Sequence, residues 1–369
     1  MKAGLNLVQL ATEIERRANA KKDYVVATDA IRMEVAEGDA YEKAGIKGNA
    51  LVLADRETIG INDVAHRQIG DFADIPAKYY DRMKAEAPRL LADNVNTWMG
   101  RQPGKRLVRT LDGANRAFLS DRYRPLENEE LAQAVLPPLL DMGVEVVSSQ
   151  ITDKKFYLKV ADRKVVRDLG FQFGVGNHNI TRTQCAALVI SNSEVGFGAL
   201  SINAAVWDHW CDNLAVFSQH SMKKYHVGGN LLGDGADNLM HLLSDETRKL
   251  TDKALWAQVG DVVRGAFDEA VFNSRVDEIM GLQECKLEGD PIKVVELTAK
   301  KFGITQGEQT SILRHLIEGG DLSAYGVYNA VTRASTDLGD YDRASEFEKI
   351  GGKLIDLSKS EWKELAKAA

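Results

Sequence analysis

The sequence predicts an α+β fold, a mainly antiparallel sheet with flanking helices over residues 1–230, followed by a mostly helical C-terminal region over residues 231–369. Three observations predict it. Short β-branched runs in the first part alternate with turn dipeptides, which is how hairpins read. From Leu239 onward apolar residues instead recur at helical spacing. Between these regions lies a stretch, residues 185–229, that reads as a central hairpin and holds three of the seven histidines and two of the three cysteines.

Taken in order, Leu7, Leu10, Ala11 and Ile14 recur at near-helical spacing, which predicts an amphipathic helix ending near Lys21. Residues 23–35 read as one strand. Residues 38–48 read as a polar excursion, and 51–53 and 58–61 as strands flanking a charged turn. Residues 62–91 are helical in character. Gly70 breaks them, and Pro76 restarts them in a first turn, so two short helices at an angle are expected. Such a pair suits simple packing better than a DNA-reading helix-turn-helix. Residues 106–111 and 114–120 read as strands joined by Asp112-Gly113, a strong hairpin signal. Asn128 can cap a helix through Met142, kinked or divided at Pro137-Pro138. Residues 144–149 and 155–160 form a second hairpin. Helices are expected over 238–272, 274–281, 292–301, 306–318, 324–334 and 344–357.

The chain of 369 residues can bury a sizeable core, and 44% hydrophobic with 27% charged residues is ordinary for a globular protein. A net charge of −7 excludes a uniformly basic nucleic-acid coat but allows a local basic groove. Three widely spaced cysteines read as free thiols in a reducing cytoplasm. No apolar run reaches the length of a membrane span, so no membrane partner is expected.

In the central stretch, Leu188, Val189 and Ile190 read as a buried strand. Asn192, Ser193, Gly196 and Gly198 read as a turn with Glu194 near its tip, and residues 199–206 as the returning strand. Asn192-Ser193-Glu194-Val195-Gly196, followed by Cys211-Asp212-Asn213 and His226-Val227-Gly228, resembles an uncharacterised family of phage/plasmid-like proteins carried by mobile elements. The resemblance runs through most of the chain, and includes residues 121–128 and the segment from Tyr325 through Asn329 to Thr332. One departure is Leu214, where the family often has Gly after its Cys-x-Asn motif. The resemblance implies a mobile-element setting and by association raises DNA recombination as a role, but it implies no chemistry.

The clearest charge signal is Arg101, Lys105, Arg106, Arg109, Arg116, Arg122 and Arg124, set against Asp112 and Asp121. A basic hairpin with Phe118 and Tyr123 nearby can follow a phosphate backbone and offer rings for base stacking. A run from Lys154 and Lys155 through Lys159, Arg163, Lys164 and Arg167 adds charge, as do Lys223 and Lys224 beside Tyr225 and His226. The bland alternative is a solvated face whose cations pair with helix carboxylates.

These features together predict a non-catalytic protein, with no cofactor, that binds single-stranded DNA, assembles as a homo-oligomer and anneals strands, with a phage or host recombination protein as a further partner. The alternative is an enzyme on nucleotides or nucleic acid, whose pocket is built from Asn192, Glu194, His209, Cys211 and Asn213. In it, Cys211 would be activated by His178, His209 or His226, zinc held by His209, Cys211 and His226, or magnesium held near Glu194, Asp208 and Asp212. A third reading is a non-catalytic protein that blocks a host defence. Asn and Ser at a hairpin tip often serve the backbone, which favours a scaffold role for the 192–213 motif. There is no Walker A motif in the sequence.

Overall fold

The computed structural model describes residues 1–54, 57–175, 178–208, 210–224 and 245–367, and the fold is α+β with a helical C-terminal region. Its described strands form two sheets. The first has the order β1-β5-β6-β4-β3-β2, from β1 (Lys22–Ala27), β2 (Ile31–Val35), β3 (Asn49–Leu53), β4 (Glu57–Ile61), β5 (Lys105–Leu111) and β6 (Ala114–Ser120). The second has the order β11-β10-β9-β8-β7, from β7 (Glu145–Ile151), β8 (Phe156–Val175), β9 (His178–Asn192), β10 (Leu200–Asp208) and β11 (Asn213–Lys224). All pairs are antiparallel except β4 with β6.

The single strand expected over 23–35 is two strands on opposite edges of the first sheet. A 3-10 turn at Thr28–Ala30 separates them, because the Thr28 N–H and hydroxyl bond Gly104 O and Gln102 O and turn the chain away. Asp112 and Gly113 do join β5 to β6, both at positive φ (51° and 77°), the geometry an Asp-Gly hairpin favours. The central hairpin is β9–β10, with Ser191 opposite Ser201 and Ile190 opposite Ile202.

The polar excursion holds one short helix, α2 (Asp39–Lys43). Helices α3 (Asp63–Phe72), α4 (Ala77–Glu86) and α5 (Pro88–Arg101) cover the first sheet, with Ile69, Tyr80, Leu91 and Val95 against Leu51, Val108 and Phe118. Helix α1 (Leu7–Ala20) begins in a capping box of Asn6 and Gln9. With α6 (Asn128–Met142) and α7 (Asp245–Gly265) it buries Leu158, Leu188, Ile190 and Ile202 of the second sheet. Pro137 and Pro138 lie inside α6, which continues through them as one helix.

The remaining helices are α8 (Glu269–Gly281), α9 (Pro291–Phe302), α10 (Gln306–Gly319), α11 (Ala324–Ala334), α12 (Tyr341–Ile355) and α13 (Lys359–Ala366). They share a core with Val206, Ala215 and Phe217 of the second sheet. Helix α12 lies against β11, the edge of that sheet. It comes so close that a Cβ on Gly352 would stand 2.0 Å from the Val216 carbonyl oxygen, and it packs as closely on α11, where a Cβ on Gly351 would stand 2.4 Å from the Thr332 methyl. The same helix sends Glu348 into the interior to pair with Lys159 at 2.6 Å, both side chains fully buried. No helix among the described residues is long and apolar enough to cross a membrane.

Candidate functional site

The tip of the β9–β10 hairpin plugs into the first sheet. Val195 packs with Val64 and Ala117, and the Val195 carbonyl accepts from Gln68 at 2.7 Å. Glu194 is buried here. One carboxylate oxygen accepts from Arg116 at 2.7 Å and the other from the Asn128 N–H at 2.8 Å. Burial pushes the Glu194 carboxyl up, but the Arg116 charge, with hydrogen bonds from the Asn128 N–H and other neighbours, outweighs it and holds the group down at about 2. Asn192 donates to Leu126 O and Asn128 Oδ1. The motif at 192–194 therefore joins two sheets, and the cavity beside it measures about 10 Å³, room for no more than one water.

The arginines of the basic hairpin divide. Arg109 is fully buried, donating to Asp23 at 3.0 Å and to the Glu194 carbonyl at 2.8 Å, and pairing with Glu127, which also holds Lys21. Arg116 is buried on Glu194. These two are corrections to the predicted phosphate contacts: a desolvated guanidinium is held by the nearest carboxylates, and neither faces solvent. Arg124 pairs with Asp252. Arg101, Lys105 and Arg122 are exposed, Arg101 beside the Trp98 ring, and Arg106 is half-buried over the Phe72 ring at 4.0 Å.

In the 154–167 run only Lys159 is buried in this way, and the cations after it are engaged at or near the surface. Lys159 is buried on Glu348, Arg163 pairs with Glu145 and Arg167 with Asp277, and Lys164 donates to Met142 O. Lys154 and Lys155 remain. The Lys154 ammonium stands 6.0 Å from the Phe197 ring, and the Lys154 carbonyl accepts from Ser193. Lys155 lies against Gly198, and its charge, with that of Lys223, presses on Lys349 of α12. Burial first, and those two lysines second, push the Lys349 ammonium down to about 8. Lys349 was missed by sequence reasoning. It lies on a helix whose alignment with β11 the local pattern does not reveal. The side chain of Lys224, and His226, lie outside the described residues.

The other half of the polar motif is at the far end of β10, about 27 Å away for nine residues. Glu194 and Cys211 therefore do not share a pocket, and the predicted enzyme site is not assembled, nor is a magnesium site of Glu194 with Asp208 and Asp212. His209 and the His178 side chain lie outside the described residues. Around Cys211 there is a cavity of about 510 Å³ between the end of the second sheet and helices α10 and α11. Asp208 accepts from the N–H groups of Trp210 and Cys211 and pairs with Arg182. Arg182 also donates to Asn329 Oδ1 at 3.0 Å, and Asn213 donates to the same oxygen at 3.1 Å. Arg333 donates to Cys211 O. The Cys211–Asn213 and Tyr325–Asn329 segments thus meet here. Burial pushes the Cys211 thiol up, against the pull of Arg182.

Among the described residues, no group of three His, Cys, Asp or Glu side chains could hold a metal ion. Comparison with known proteins gives no matching family model, no matching curated protein and no matching solved structure.

Proposed function

We propose that the chain binds single-stranded nucleic acid along a cationic band that crosses the tip of the β9–β10 hairpin. The observation that carries this is the convergence of Lys155 and Lys223 on Lys349 of α12, where their charges add to burial in pushing the Lys349 ammonium down. Cations gathered at such a cost are an arrangement suited to an anion of several charges. Lys154 beside Phe197 extends the band toward Tyr123, whose hydroxyl bonds Ser193 O, and so to the exposed Arg122. Lys105, Arg106 and Arg101 with Trp98 continue it at the open end of β5. The rings of Phe197 and Trp98 favour a single strand, since bases freed from a duplex can stack on them for about 1–3 kcal/mol each. In this reading Arg109, Arg116 and Glu194 fasten the sheets that carry the band. Strand annealing, with copies aligned side by side in recombination, is the use that such a band suits.

The test is fluorescence anisotropy of labelled single-stranded and duplex oligonucleotides across a salt series. Single strands should bind more tightly, with an affinity that falls steeply with salt. Lys155→Ala, Lys223→Ala and Lys349→Met should each flatten the slope of log affinity against log salt by about 0.7. An absence of binding at low salt, or slopes untouched by all three substitutions, would remove this reading.

A further inference from the structure

The cavity at the far end of β10 plays no part in that band, and it has the features of a built site. Its volume of about 510 Å³ is in the range of small-molecule pockets and far beyond what one ion fills. Asn213 is 98% buried there. Its amide nitrogen is used on Asn329, but its carbonyl oxygen has no hydrogen-bond partner among the described residues. That oxygen is closed to solvent as it stands, and a buried amide oxygen left without a donor is costly, so a turn of the Asn213 side chain that brings it to a ligand N–H in the cavity is favoured. Trp210 presents an exposed ring on the same cavity, at 45% exposure. Arg333 is exposed, holds the Cys211 carbonyl through one nitrogen, and has no carboxylate partner among the described residues. On the α10 side, Glu318 and Asp321 supply acceptors.

We infer that this cavity binds a mononucleotide. The four features match its four parts. The Arg333 guanidinium takes the phosphate, for which its planar fork is suited. Trp210 stacks on the base. Asn213 Oδ1, once the side chain turns toward the cavity, accepts from a base amino or imino N–H. Glu318 or Asp321 accepts from ribose hydroxyls, as acidic residues do in other nucleotide sites. Arg182, clamped by Asp208 and Asn329 and standing 5.6 Å from the Tyr325 ring, fixes the floor. The inference uses none of the lysines of the band, so either can fail without the other.

The experiment is titration of the full chain with adenosine monophosphate, cytidine monophosphate, adenosine and inorganic phosphate, followed by calorimetry and by tryptophan fluorescence. At least one nucleotide should bind saturably at micromolar to millimolar concentration, with its nucleoside and free phosphate each about tenfold weaker or more. Arg333→Ala and Trp210→Ala should each weaken the nucleotide about tenfold, and Trp210→Phe should remove the fluorescence change while keeping affinity. Trp210 is half-exposed, so its variants keep the test alive should Arg333→Ala disturb the fold. Oligonucleotide anisotropy should be unchanged in these variants. No saturable binding of either nucleotide in the millimolar range, or affinities indifferent to both Arg333 and Trp210, would overturn the assignment.

Discussion

The two ends of β10 carry polar motifs of similar composition and opposite character. At one end, Asn192 and Glu194 are enclosed by Arg116, Asn128 and Leu126 O, with about 10 Å³ of space left. At the other, Cys211 and Asn213 border about 510 Å³. Buried atoms without a partner among the described residues occur at both ends, Asn192 Oδ1 and two Arg116 nitrogens at the first and Asn213 Oδ1 at the second. A run of Asn, Asp, Glu and Cys therefore does not by itself mark a site. What separates fastening from binding is how much space the fold leaves beside the polar atoms.

This contrast can be broken first by stability. Glu194→Ala leaves the Arg116 guanidinium buried and unpaired, and should destabilise the chain by about 3–5 kcal/mol in denaturant unfolding. Trp210→Ala at the open end should change it by no more than about 1 kcal/mol, since half of that ring already meets water. Equal losses at both ends would erase the distinction. Acid sharpens it. The folded Glu194 carboxyl lies below its ordinary value, at about 2. Its contribution is therefore complete above the unfolded value of about 4.3 and is lost as pH falls through about 2. Glu194→Gln should flatten that part of the stability–pH curve, whereas Asn213→Leu should leave its shape alone.

A smaller effect concerns the band at the tip. Lys349 is held down at about 8, and an unfolded lysine titrates near 10.4. Below pH 8 it is charged in both states, so the folded form bears the full repulsion, and stability should rise between about pH 8 and 10 as the folded lysine sheds its proton first. Oligonucleotide affinity should move the other way, weakening as pH rises through about 8. Lys349→Met should level both curves over that window, measured by thermal unfolding and by anisotropy.

What the sequence revealed was local. The Asp112-Gly113 turn, the amphipathic helix α1 and the β9–β10 hairpin depend on neighbours in the chain, and their signals are strong. The fate of the arginines was not legible, because their partners are distant in sequence: Asp23 lies 86 residues from Arg109, and Glu194 lies 78 from Arg116. A hint was present, since Arg109 follows Leu107 and Val108 and Arg116 precedes Ala117 and Phe118. An arginine in the middle of an apolar strand is buried only where carboxylates pair with it, as they do at both of these positions. The meeting of Cys211–Asn213 with Tyr325–Asn329 was hidden for the same reason. A segment order says nothing of which helix returns to which strand.

The glycine pair of α12 has a consequence beyond packing. With no side chain at 352 the helix rests directly on the backbone of β11, and with none at 351 it closes on Thr332 of α11. Lys349, one turn earlier, is thereby set at a fixed height above the strand that carries Lys223. The pair acts as a spacer of zero thickness, and the distance between two cations is gauged by two residues that have no side chain at all. Alanine at Gly352 would add one methyl group far from any phosphate, yet it would lift the helix and spread the charges. Sensitivity to ionic strength would then be altered by a substitution that touches no ion.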